Sequence, residues 1–192
     1  MEDIEKLHHL YKLKEINRHG IVKGRRESTA EHVYSCMILA EYFLPKIKQK
    51  LDELKIMKML LFHDIVEIEA GDTFVLDKKA RITQQKKEAN GFKVLKTKIP
   101  KELSKEYHKL WREYEAGKTL EAKFCQAIDK LDPILHHLDN SAPWKKYKFT
   151  EQKLREQKER YFKEFPVIMK MFNELIEVAN KKNYFYREKG KR

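Results

Sequence analysis

Glycine and proline are scarce, with 6 and 5 residues in a chain of 192. So few turn-formers cannot punctuate a sandwich or barrel of many short strands. Cysteine is scarcer still. Cys36 and Cys125 are too few for a disulfide framework, and both lie in apolar surroundings, as core thiols of a reducing compartment do. No apolar run reaches the length that spans a bilayer, and the opening Met1-Glu-Asp-Ile-Glu5 lacks the pattern of a signal peptide. These absences point to an all-α, cytoplasmic protein with no membrane partner.

Charge, by contrast, is plentiful. The chain is 38% charged and carries a formal +12. Such a balance can attract nucleic acid or phosphorylated small molecules. Lys and Glu are interleaved through most segments, however, which is the look of solvated helix faces. Nucleic acid is therefore not the expected partner. Only residues 183–192 stand apart, as a basic C-terminal tail. Residues 1–182 read as one compact bundle of about six to eight helices, a size that can bury a core.

The stretch from Met57 to Asp72 organises the rest. Its apolar spacing predicts one buried helix, ended by Gly71-Asp72. His63, Asp64 and Glu67 lie inside it, and a buried carboxylate must be paired, hydrogen-bonded or metal-bound. Upstream, residues 3–16 read as an amphipathic helix with His8-His9 on its surface. Residues 17–26 read as a loop carrying Arg18, Arg25 and Arg26, and a guanidinium fork suits phosphate. Ser28-Thr-Ala-Glu31 is a capping box that opens a helix with His32 in its first turn. Antiparallel packing would bring His32 to one end of the central helix.

Downstream, helices are expected from about 79 to 96 and around Leu103–Tyr114, the latter ended by Gly117. Another starts at Thr119, with Asp129 among Cys125, Ile128 and Leu131, and Lys130 facing out. Asp132-Pro133 kinks or ends it, and His136-His137 read as a helix-end pair. Pro143-Trp144 reads as loop. Residues 150–180 form a long or Pro166-broken helical region. Its stripe of Phe162, Phe165, Ile168, Met169, Phe172 and Ile176 is either core or a dimer seam.

Three helices thus place His32, His63-Asp64 and Asp129 in apolar context. Two imidazoles and two carboxylates make a mixed set that suits Mn, Fe, Co, Ni or Zn. A set without Cys argues against a structural zinc finger. The order His32, His63-Asp64, Asp129 resembles the signature of the HD-domain metal-dependent phosphohydrolases, above all the 5′-deoxynucleotidase-like members. Arg18, Ser28-Thr-Ala-Glu-His32, His63-Asp-Ile-Val-Glu-Ile-Glu-Ala-Gly-Asp72, Leu110-Trp-Arg-Glu-Tyr-Glu115 and Ala127-Ile-Asp-Lys-Leu131 carry the likeness, over about residues 10–145.

The resemblance implies a helical fold, a divalent metal, a nucleoside 5′-monophosphate substrate and a homodimer. It makes His32, His63, Asp64 and Asp129 the metal ligands, Glu67 the residue that transfers a proton or holds the attacking water, and Arg18 the phosphate clamp. It sets Asp72 against the sugar, with His19, either a phosphate contact or an ordinary loop residue, and Thr73 as further substrate-binding candidates. The deoxynucleotidases have Trp where this chain has His19, which leaves the sugar preference open. Other readings are a triphosphate or cyclic-nucleotide hydrolase of the same type, or a basic nucleic-acid-binding module.

Overall fold

The computed structural model describes residues 2–72, 78–140 and 142–187. Helices dominate, as expected. Those of eight residues or more are α1 (Glu2–Leu10), α2 (Thr29–Phe43), α3 (Glu53–Phe62), α5 (Lys78–Lys98), α6 (Lys101–Ala116), α7 (Leu120–His136), α9 (Glu151–Lys158) and α10 (Pro166–Lys181). Two short helices, α4 (Glu67–Ala70) and α8 (Ala142–Lys146), complete the set among the described residues. None of the helices is long and apolar enough to cross a membrane, among the described residues.

α7 is the spine. Its Ala122, Phe124, Cys125, Ala127, Ile128 and Leu131 are fully buried, and α2, α3, α6 and α10 pack around it. The helix runs through Pro133 to His136 instead of ending at Asp132-Pro133. The ring removes only the amide that would have bonded back to residue 129. α2 begins at the predicted capping box. Ser28 accepts from the Glu31 amide at 3.3 Å, and the Glu31 carboxylate accepts from the Ser28 amide at 2.8 Å.

Several local expectations are corrected. The segment read as loop over 17–26 is an antiparallel hairpin, β1 (Asn17–Val22) and β2 (Arg25–Ser28). Lys23 and Gly24 form its two-residue turn, both with positive φ, the geometry that matches the twist of paired strands. The pairing register shifts between Asn17 and Ile21. Such an irregularity re-aims the side chains beside it, here Arg18 and His19. α1 stops at Leu10, and residues 11–15 tighten into a 3-10 turn. Pro143-Trp144 lies in α8 rather than in a loop.

The central helix is broken in two. α3 ends at Phe62, and Ile65, Glu67 and Ile68 then bond back three residues to Phe62, Asp64 and Ile65. The cause is His63, whose Nδ1–H donates to the Leu60 carbonyl at 2.7 Å. That carbonyl is the one the Asp64 amide would take in a continued α-helix.

The aromatic stripe of the C-terminal region is core. Phe162, Phe165, Ile168 and Phe172 are fully buried, so this face is not available as a dimer seam. Beyond α10, Phe185 is buried and stacks on Trp144 with ring centroids 5.0 Å apart.

Candidate active site

The end of α3, the first turn of α2 and the middle of α7 meet at one point. His32 is completely buried, and its ring centroid lies 5.5 Å from that of His63. His32 Nε2 is 3.2 Å from Asp129 Oδ1 and 3.5 Å from Asp64 Oδ2. His63 Nε2 is 3.2 Å from the same Asp64 oxygen. The structure therefore brings His32, His63, Asp64 and Asp129 together.

Hydrogen bonds behind these atoms fix what they present. His32 Nδ1–H donates to Asp132 Oδ2 at 2.7 Å, and His63 Nδ1–H donates to Leu60. With Nδ1 protonated in both rings, each Nε2 carries a lone pair. Tyr114 donates to Asp129 Oδ2 at 2.6 Å and Lys130 to the same oxygen at 2.5 Å, leaving Oδ1 turned towards His32. Lys130 is thus part of the site rather than an outward lysine. Two lone-pair nitrogens and two carboxylate oxygens facing one another repel unless a cation or a proton lies between them. Without a cation the proton supplies the balance. Burial opposes charge on His32, yet its bonds to Asp129 and Asp132 raise its pKa well above the usual histidine value. Burial likewise opposes charge on Asp129, and Lys130 and His32 hold it well below the carboxylate range. A buried N₂O₂ set of this polarity fits a divalent metal.

Cys36 is a further donor near His32, its Sγ 3.6 Å from Nε2. His32, Cys36 and His63 alone could hold an ion. Burial pushes the thiol up to about 12, so the sulfur stays protonated beside two ionised carboxylates. The carboxylates are the better ligands for that reason.

Arg18 stands over this cluster. Its Nη1 donates to Asp64 Oδ2 at 3.1 Å and lies 3.9 Å from Asp72 Oδ1, while Nε is 3.8 Å from Glu27 Oε2. Burial opposes the charge, but Asp64, Glu67 and Asp72 keep the guanidinium ionised. Glu67 begins α4, is buried, and accepts from Thr29 Oγ1 at 2.8 Å. Burial, and then the Asp64 charge, raise its pKa well above the ordinary value. Asp72 also faces His19, with Nδ1 3.8 Å from Oδ2. Thr73 lies outside the described residues.

Sequence reasoning passed over Asp132, Tyr114, Lys130 and Glu27. Asp132 had a signal: it follows Asp129 by three residues, one turn along the same helix face. His136, read as a helix-end residue, also enters the site wall, with Nδ1 3.4 Å from Glu27 Oε1. His9 is away from the cluster and bonds to Glu69 at 2.7 Å. A cleft of about 660 Å³ runs from Arg18 and Asp64 past His136 to Trp144.

The whole arrangement has relatives. A 5′-deoxynucleotidase HDDC2 of Bos taurus is 31% identical over 126 residues, 64% of this chain and 60% of the relative. The chain thus spans three fifths of that protein. A crystal structure described as a predicted metal-dependent phosphohydrolase, from Magnetospirillum magnetotacticum MS-1, superposes with a TM-score of 0.84 at 28% identity. That match covers 97% of this chain and 95% of the other. An HD-domain phosphohydrolase from Listeria innocua shares the fold at 21% identity, with a TM-score of 0.68 over 93% of this chain and 90% of that one. Residues 10–169 match the HD domain family, and the chain belongs to it.

Proposed function

We propose that the protein is a metal-dependent phosphomonoesterase acting on nucleoside 5′-monophosphates, with a preference for the deoxy forms. The observation that carries the reading is the meeting of His32, His63, Asp64 and Asp129 beneath the Arg18 guanidinium. The names of the bovine relative and of the Magnetospirillum structure support it. In this reading those four side chains hold a divalent ion, one of Mn, Fe, Co, Ni or Zn. When bound, such an ion lowers the pKa of water and offsets charge on a phosphoryl group.

The chain's own residues supply the rest. Arg18 offers a planar fork of N–H donors to two phosphate oxygens. Glu67, whose pKa burial and then the Asp64 charge raise, is the carboxylate placed to take the proton from the attacking water. Thr29 fixes the Glu67 carboxylate by its hydrogen bond. Tyr114 and Lys130 hold one Asp129 oxygen so that the other faces the ion. Asp72 and His19 at the rim, with Thr73 next in sequence, meet the sugar.

The reading extends to a cytosolic homodimer. Both cysteines are free, which suits a reducing compartment. Tyr34, Ile38 and Tyr42 form an exposed line along α2 that a second copy could cover.

Phosphate release is the test. Metal-stripped protein is supplied with Mn, Co, Mg or Zn and offered ribo- and deoxyribonucleoside mono- and triphosphates. Release from deoxy monophosphates supports the full reading. Release from ribo forms at equal rates removes the sugar preference, and silence with every metal removes the activity.

A further inference from the structure

The cleft does not stop at the cluster. Its two long walls run side by side. Along α7, Lys130 is followed two turns later by His137. Along the opposite wall, Tyr161 lies beside Lys130, with the ammonium 6.0 Å from the ring centroid. Lys158, three residues earlier, lies close enough to His137 to help depress its pKa. The segment 158–161 therefore tracks α7 in the opposite direction. Trp144 closes the far end, its ring 5.6 Å from that of His137.

The far end is chemically distinct from the near one. Burial first, and then its neighbours His136 and Lys158, hold His137 down at about 4, so its imidazole is neutral at pH 7. Trp144 and Lys158 are buried. Gln157 lines the same cleft, and its Oε1 is buried with no hydrogen-bond partner among the described residues. A buried acceptor left unmet is costly, so such an atom calls for a ligand donor. The separation is also informative. His137 is eight positions from Asp129, about 12 Å along a helix that rises 1.5 Å per residue. That is roughly the reach of a mononucleotide from its phosphorus to the far edge of its base.

We propose that the end of the cleft bounded by His137, Trp144 and Lys158 is a nucleobase subsite, in which Gln157 Oε1 accepts a hydrogen bond from a base N–H. This deepens the phosphomonoesterase reading and rests on it. The subsite sets the aromatic rings of Trp144 and His137 beside one directional acceptor, which is how small-molecule sites fix orientation. Each base of the deoxy series has such a donor: adenine, guanine and cytosine an exocyclic NH₂, and thymine its ring N3–H. Recognition therefore favours the presence of a base over its absence.

The experiment compares thymidine 5′-monophosphate with 2-deoxyribose 5-phosphate, which keeps the ester and lacks the base. The metal-loaded wild-type protein should show a KM at least about tenfold lower for the nucleotide, the size of one directional hydrogen bond to a buried acceptor. Gln157→Leu, of similar volume, should bring the two KM values within about threefold of each other, the change falling on KM for the nucleotide. Equal KM values in the wild-type protein overturn the subsite, as does an unchanged ratio in Gln157→Leu. Turnover of 2-deoxyribose 5-phosphate separates the two ideas. If that ester is hydrolysed and no base effect is seen, the subsite alone is wrong. If no phosphate ester is hydrolysed, the phosphomonoesterase reading fails first.

Discussion

At the scale of single residues, the site separates groups that hold an ion from groups that move a proton. Asp64 faces both imidazoles and Arg18. Asp64→Ala should therefore lose both bound metal and phosphate release, read by elemental analysis and by assay. Glu67→Gln keeps the hydrogen bond to Thr29 and removes only the proton acceptor. It should retain metal and lose about 10²-fold or more in rate. Wild-type turnover by both variants would reject the assignment. Asp132 acts from behind, through His32 Nδ1. Asp132→Asn should weaken metal binding by about 10–100-fold in a competition titration, the usual cost of removing a carboxylate behind a ligating His. The four central residues were legible because each is ionisable and sits in an apolar run, a costly arrangement without a partner. Asp132 was not, because Pro133 beside it read as a helix end. Lys130 was not, because a lysine on a helix is ordinarily solvated, and only the folded structure places Asp129 under its ammonium.

At the scale of elements, the hairpin and α2 meet at Ser28, and the capping box fixes that junction. Ser28→Ala should cost about 1 kcal/mol in urea unfolding, as loss of an N-cap does. The same junction gives a pH signature. The hydrogen bond from Arg25 first, and the Ser28 amide next, hold the Glu31 carboxyl down at about 2. A depressed folded-state pKa contributes stability that is fully present above the ordinary carboxylate value and lost as pH falls from there through about 2. The pair is open to solvent, so its share is at most about 1 kcal/mol. Glu31→Gln should accordingly flatten the acid limb of a stability profile between about pH 5 and 2 and leave the neutral plateau within about 1 kcal/mol. The box was legible because its four residues are contiguous and each bond is local. The hairpin was not. Arg18, His19, Arg25 and Arg26 do not alternate with apolar residues, and its turn is Lys23-Gly24 in place of the more telling Asn-Gly. The break in the central helix was equally hidden, because it depends on the His63 ring reaching back to its own helix.

At the scale of the whole molecule, the question is which apolar surfaces the chain buries by itself. Periodicity found the C-terminal stripe but could not say what covers it, since a helix face looks the same against its own core and against a second subunit. The structure resolves this for α10. Phe172 is fully buried, packs on Phe162 with centroids 4.8 Å apart, and sits beneath Arg155. Leu54 on α3, by contrast, is 66% exposed. Truncating a buried aromatic removes its transfer energy and leaves a cavity that close packing cannot fill. Phe172→Ala should therefore cost about 3–5 kcal/mol, while Leu54→Ala should stay within about 0.5 kcal/mol. Urea unfolding measures both. Light scattering on the same samples completes the argument: a core residue changes stability without changing the mass of the native particle. If Phe172→Ala instead halved that mass at undiminished stability, the stripe would be a subunit seam and the packing described for α10 would be wrong.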